Sequence, residues 1–160
     1  MNNSTALRTS TDASLLERVR RLEFAGQHEA ALALLDAEAK LSPRLEAIRG
    51  TLLIFTGDRL RARIALTNAL ARGYRPALAA LSSLQRLEGE PRDALLELSE
   101  CDLEACDDFE RANLEREVGL LHEERDALDE ARIWLERGWR SALLGTFGQY
   151  QLAGIAQALG

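Results

Sequence analysis

Lysine is nearly missing from this chain: Lys40 stands alone among 20 basic residues, so almost all positive charge is guanidinium. A bias of that kind fits a GC-rich bacterial genome and says little about function. Cysteine is also scarce. Cys101 and Cys106 are too few for a disulfide framework, and a reducing compartment is the default expectation. Three prolines and few β-branched runs, against abundant Ala, Leu, Glu and Arg, favour an all-helical chain. The N-terminus lacks the basic segment and apolar core of a secretory signal, which points to the cytoplasm. There is no glycine-rich phosphate loop and no nucleophile motif. A net charge of -6 argues against general nucleic-acid binding, since phosphate is repelled on average.

What is present is helical periodicity. In Leu45–Leu70, the residues Leu45, Ile48, Leu52 and Phe55 recur at spacings of three and four and share one helical face. Thr56-Gly57-Asp58 interrupts the pattern, with Gly57 suited to a helix C-terminus and Asp58 to the next N-cap. Beyond it, Leu60, Ala62, Ile64, Ala65, Leu66 and Ala69 read as a second apolar stripe. Gly50 sits mid-helix at a cost of about 1 kcal/mol relative to Ala, which is consistent with a close helix approach. Helices this short are marginal alone and need neighbours.

The same plan recurs on both sides. Met1–Thr11 is polar and is expected to be a disordered tail, with Ser14 and Glu17 forming a capping box at the start of the first helix. Glycines at 26 and 89 break the flanking helices, and Ser42-Pro43 and Pro76 open new ones. Asp102–Glu110 reads as an acidic irregular interval. Ala31, Ala62, Ala94 and Ala131 occupy one place in the pattern, followed four residues later by Leu35, Leu66, Leu98 and Leu135. The intervals are 31, 32 and 37 residues.

That period, with Gly50 and Gly119 at a small-residue place in the first helix, turn glycines at 26, 57 and 89, and Pro43 closing a unit, resembles the tetratricopeptide repeat (TPR). The resemblance covers about residues 12–145 and is degenerate, since the aromatic near each repeat start is missing and Asp126 replaces the fourth turn glycine. It implies an all-α fold, a right-handed α-solenoid of about four hairpins plus a terminal helix, in one domain over 12–160. It further implies a protein- or peptide-binding scaffold whose first helices line a concave groove. Matching places put Arg20, Glu23, Phe24, Thr51, Ile54, Phe55, Ser83, Arg86, Leu87, Leu120 and Glu123 there. Leu16, Ile48 and Ala80 stand where the carboxylate-clamp subtype carries polar or basic residues, so chaperone-tail binding is not implied. The alternative is a regulatory domain of a larger bacterial transcription or signalling protein.

Other residues invite chemistry and have plainer explanations. His28 falls where a bulky side chain packs after the turn, and His122 has no second histidine beside it to complete a metal set. The Cys101/Cys106 spacing is not that of a zinc knuckle, and its acidic surroundings raise thiol pKa. Arg18, Arg20, Arg21, Arg59, Arg61 and Arg63 read as solvated helix surface, the alternative being an anion-recognising edge, since guanidinium forks suit carboxylates and phosphates. No catalytic residue, cofactor or metal is expected, and neither nucleic acid nor membrane is an expected partner. Residues 141–160 carry no charge, but four glycines and three glutamines dilute their apolar content below that of a membrane span. They are expected to form a half-repeat whose outer face, with Phe147 and Tyr150, mediates a homodimer.

Overall fold

The 31- to 37-residue period resolves into helical hairpins. The computed structural model describes residues 3–89 and 94–144, with side chains over 12–89 and 94–141. Among the described residues every regular element is helical: α1 (Asn3–Phe24), α2 (His28–Asp36), α3 (Pro43–Phe55), α4 (Arg59–Ala71), α5 (Ala77–Leu87), α6 (Leu95–Ser99), a 3-10 turn (Leu103–Ala105), α7 (Asp108–Glu123) and α8 (Leu128–Leu144). The residues expected as one repeat domain fall into two compact units, Met1–Tyr74 and Arg75–Gly160.

The first unit contains two hairpins, α1–α2 and α3–α4. Its core joins Leu15, Val19, Ala31, Leu35, Leu41, Leu45, Ile48 and Leu52. Gly50 of α3 faces α4 so closely that a Cβ there would lie 2.6 Å from Leu66 Cγ and 3.3 Å from the Ala62 carbonyl oxygen. The second unit repeats the device. A Cβ at Gly119 of α7 would lie 2.7 Å from Leu135 Cγ of α8. The aligned alanines and leucines, Ala31/Leu35, Ala62/Leu66, Ala94/Leu98 and Ala131/Leu135, are all buried. Farther along α8, Gly138 approaches the Ala112 carbonyl, and Trp139 packs on Ala112.

The turns share one geometry. Gly26, Gly57, Gly89 and Asp126 all adopt positive φ, so the fourth turn keeps the left-handed conformation without glycine. In three of them the next N–H reaches back five residues: Gln27 to the Leu22 carbonyl, Asp58 to Leu53 and Ala127 to His122, at 2.8–3.0 Å. This satisfies carbonyls that a helix end leaves open. Ser42 and Asp58 cap α3 and α4 as their sequence positions suggest, accepting from the Leu45 and Arg61 N–H groups.

Three expectations are corrected. Helix α1 begins at Asn3, so the segment read as a disordered tail is helical from there, and Ser14 with Glu17 lies within the helix instead of capping it. Extending a nucleated helix adds one hydrogen bond per residue fixed, and a polar sequence does not forbid it. The acidic interval read as irregular contains the 3-10 turn and the first turn of α7. Asp107 and Glu110 form the reciprocal capping box there. Leu60 and Ile64, read as part of the buried stripe of α4, are 71% and 53% exposed. At about 100° per residue they lie opposite the seam that Ala62, Ala65, Leu66 and Ala69 bury.

The Gly50 contact sets a test. In an open helix Gly→Ala stabilises by about 1 kcal/mol. At this position Gly50→Ala is expected to destabilise by about 1–3 kcal/mol in urea denaturation, because the methyl group overpacks against Leu66. Combining it with Leu66→Ala is expected to give a loss smaller than the sum of the two single losses.

Candidate functional site

The residues expected to line a groove divide between the two units and behave differently in each. In the first unit, Arg20 and Glu23 are 4% exposed and meet each other, Nη1 to Oε2 at 2.8 Å. They are therefore largely withdrawn from solvent. Thr51 donates its hydroxyl to the Ala47 carbonyl at 3.1 Å, as threonine does within a helix, and Ile54 is half-buried. Phe24 and Phe55 are exposed. Phe55 stacks on His28 with centroids 4.8 Å apart and planes 22° from parallel, tying the end of α3 to the start of α2. Burial pushes the His28 pKa below its ordinary value, which favours the neutral imidazole in the stack. His28 is thus a packing residue, as its place after the turn suggests.

In the second unit, Ser83 and Arg86 converge on a residue the sequence did not single out. Glu117 of α7 is almost fully buried. It accepts the Ser83 hydroxyl at 2.9 Å and a short hydrogen bond from Arg86 Nη2. Arg86 Nε also lies 3.0 Å from Glu124. Arg116 stands beside this group, and its pKa is lowered by burial and by the Arg86 charge, against the opposing pull of Glu117. A second buried carboxylate, Glu115, accepts the Ser141 hydroxyl at 2.6 Å and lies 3.5 Å from Arg137 Nε. Arg137 in turn lies over Trp134, 4.1 Å from the ring centroid. Leu87 and Glu123 are exposed, and Leu120 is half-buried. The signal for Glu117 was present: in the repeat register it occupies the place of Ile48 and Ala80, where a carboxylate needs a reason.

Arg86 and Ser83 are thereby engaged in holding α5 to α7. Breaking a buried charge pair leaves one ion desolvated without compensation. Of the residues marked for binding in this unit, Ser83 and Arg86 are held by Glu117, Leu120 is half-buried, and Leu87 and Glu123 face water.

The two thiols are free and buried. Cys101 donates to the Glu97 carbonyl and Cys106 to the Asp102 carbonyl, at 3.6 and 3.5 Å. Burial, followed by the Glu110 charge, the neighbouring Cys101 and Asp107, pushes the Cys106 thiol up to about 12. Cys101 is also raised, chiefly by burial, with Arg75 pulling the other way. Among the described residues no group of three or more His, Cys, Asp or Glu is arranged to hold a metal ion. No described helix is long and apolar enough to cross a membrane. Phe147 and Tyr150, expected at an oligomer interface, lie outside the described residues.

No protein-family model matches the chain, and no curated protein matches its sequence. Among solved structures, the crystal structure of MamA superposes with a TM-score of 0.51 at 19% identity, covering 86% of this chain and 83% of that one. The fold is TPR-like. At that identity the likeness concerns architecture alone. It agrees with the repeat register read from the alanines, leucines and turn residues.

Two measurements test these assignments. Arg86→Ala is expected to destabilise by about 1–3 kcal/mol by leaving Glu117 buried with only the Ser83 hydroxyl and the nearby Arg116 charge to offset it. Replacing both partners, Arg86→Met with Glu117→Leu, is expected to recover most of that loss in urea denaturation. The thiols predict an alkaline limit. The folded state holds the Cys106 proton to higher pH than the unfolded chain does, so this contribution is intact below the unfolded pKa and lost as pH rises towards about 12. A denaturation series above pH 8.5 is expected to show falling stability, with a shallower fall in Cys106→Ala.

Proposed function

We propose that the chain is a protein- or peptide-binding module with no catalytic role of its own. One observation carries the reading. Two residues before each of the first three turn glycines stands a large apolar side chain held in water: Phe24 at 42%, Phe55 at 57% and Leu87 at 56% exposure. The fourth unit has Glu124 there. Apolar groups kept exposed at equivalent places, at the ends of first helices, offer a partner a repeated apolar contact. Aromatic anchors of this type dominate the energetics of many interfaces.

The TPR-like fold supports the same reading, because stacked hairpins present repeated positions to a partner. Of the groove expected from the sequence, Phe24, Ile54, Phe55, Leu87, Leu120 and Glu123 remain as contact residues. Arg20, Glu23, Ser83 and Arg86 are assigned to support. The His28–Phe55 stack fixes the orientation of Phe55 before a ligand arrives, which lowers the ordering cost of binding.

Selection of a random peptide library displayed on phage against the immobilised chain tests the proposal. Enrichment of a shared apolar motif is expected, and Phe55→Ala is expected to weaken the selected peptide by about 1–3 kcal/mol with the helical circular dichroism spectrum retained. Absence of enrichment, or equal binding by Phe24→Ala/Phe55→Ala, would overturn it.

A further inference from the structure

Phe24 and Phe55 stand at equivalent places in α1 and α3, each two residues before a turn glycine with positive φ. Both helices feed one core, through Leu15 and Val19 from α1 and Leu45, Ile48 and Leu52 from α3. The stack of Phe55 on His28 also brings its ring to the turn that Phe24 enters. The two phenylalanines are therefore offset by one helix-to-helix step, about 8–10 Å for packed helices.

That step discriminates between ligand backbones. A β-strand returns a side chain to the same face at about 6.6 Å and again at about 13 Å, one too short and the other too long. An α-helix returns at about 10.5 Å, but it also presents same-face residues between, at about 5–6 Å. Among the described residues, Phe24 and Phe55 are the large apolar side chains that α1 and α3 hold in water, so nothing of that kind meets the intermediate ones. A polyproline II segment rises about 3.1 Å per residue with three residues per turn, so its same-face residues recur at about 9.3 Å. It fits the step.

The chemistry of the corner agrees. Phe24-Ala25-Gly26-Gln27 and Ile54-Phe55-Thr56-Gly57 carry no charge, and Arg20 and Glu23 are buried against each other. Burial also favours the neutral form of His28. A ligand without charge at its anchoring residues matches these stretches. With one face of Phe55 on His28, its 57% exposure comes from the other face and the edge. A proline ring packs its C–H groups on the negative face of an aromatic ring, as PxxP segments do in aromatic-lined grooves. The polyproline II helix is also preformed, so it loses little entropy on binding, which matters where two rings supply the anchoring.

We propose that the first unit binds a proline-rich segment in the polyproline II conformation, with residues three apart seated on Phe24 and Phe55. This rests on the binding-module reading above and names its ligand class. Pro43, Pro76 and Pro91 stand far apart in this chain, so the segment belongs to another protein.

Fluorescence anisotropy of the full chain tests this with three labelled peptides of equal length. They are decaproline, a helix-forming alanine–leucine peptide and an alternating threonine–valine peptide. Decaproline is expected to bind about tenfold more tightly than either of the others, a difference of about 1.4 kcal/mol. Phe24→Ala and Phe55→Ala are each expected to weaken it by about tenfold, with circular dichroism as the control on folding. Phe55→Leu keeps an apolar side chain, removes the π face and is expected to weaken it similarly, whereas Phe55→Tyr is expected to bind as the wild type does. Decaproline bound no better than the other two peptides, or bound equally by Phe24→Ala and Phe55→Leu, would overturn the inference. Tighter, Phe55-dependent binding of the helical or threonine–valine peptide would overturn the ligand class and leave the binding-module reading standing. Failure of all three peptides together with an unenriched phage library would remove both.

Discussion

A methyl group added at Gly50 would lie 2.6 Å from Leu66 Cγ, and one added at Gly119 would lie 2.7 Å from Leu135 Cγ. These two approaches fix how the first helix of a hairpin meets the second. They explain why an alanine precedes each leucine by four residues: only a small side chain one turn earlier lets the backbones close. Once that seam is set, the turn has little freedom, and a residue with positive φ must follow the first helix. Asp126 shows that the constraint acts on conformation more than on residue type. Asp tolerates the left-handed region better than most side chains, and its turn makes the same backbone hydrogen bond as those at Gly26 and Gly57.

The seam is also why the fold was legible in the sequence despite weak repeat similarity. Small residues, leucines and turn residues carry the packing geometry, and they recur. Helix boundaries were less legible. The capping box at Asp107 and Glu110 was hidden in a run of acids that also reads as a loop, while Ser14 and Glu17 offered an equivalent pattern inside α1. Local capping signals compete with each other, and packing selects among them. Leu60 and Ile64 were misread for a different reason. Counting apolar residues in a short helix does not say which arc is buried when alanine supplies much of the seam.

The candidate site was legible in part. Aligning positions located the exposed Phe24, Phe55 and Leu87, since exposure at those places follows from register. It could not distinguish a charged residue facing a ligand from one facing its neighbour. Arg86 and Ser83 are held by Glu117, and Arg20 is held by Glu23. A polar side chain at a groove position is used internally when a buried partner stands opposite: Glu23 lies three residues on in the same helix as Arg20, whereas Glu117 lies on another helix, tens of residues from Ser83 and Arg86. Such pairings contribute little net stability over a well-packed apolar alternative, yet either partner alone is costly to leave behind.

The second helices carry one further regularity. Ala33, Ile64, Leu96 and Ile133 occupy the same register position and are all exposed. None belongs to the seam of its hairpin, so the packing that explains the rest of the repeat leaves this row unaccounted for. An apolar residue kept in water at one repeated place carries a liability for unselective association. What differs along the row is the charge beside it: arginines flank Ile64, and carboxylates follow Leu96.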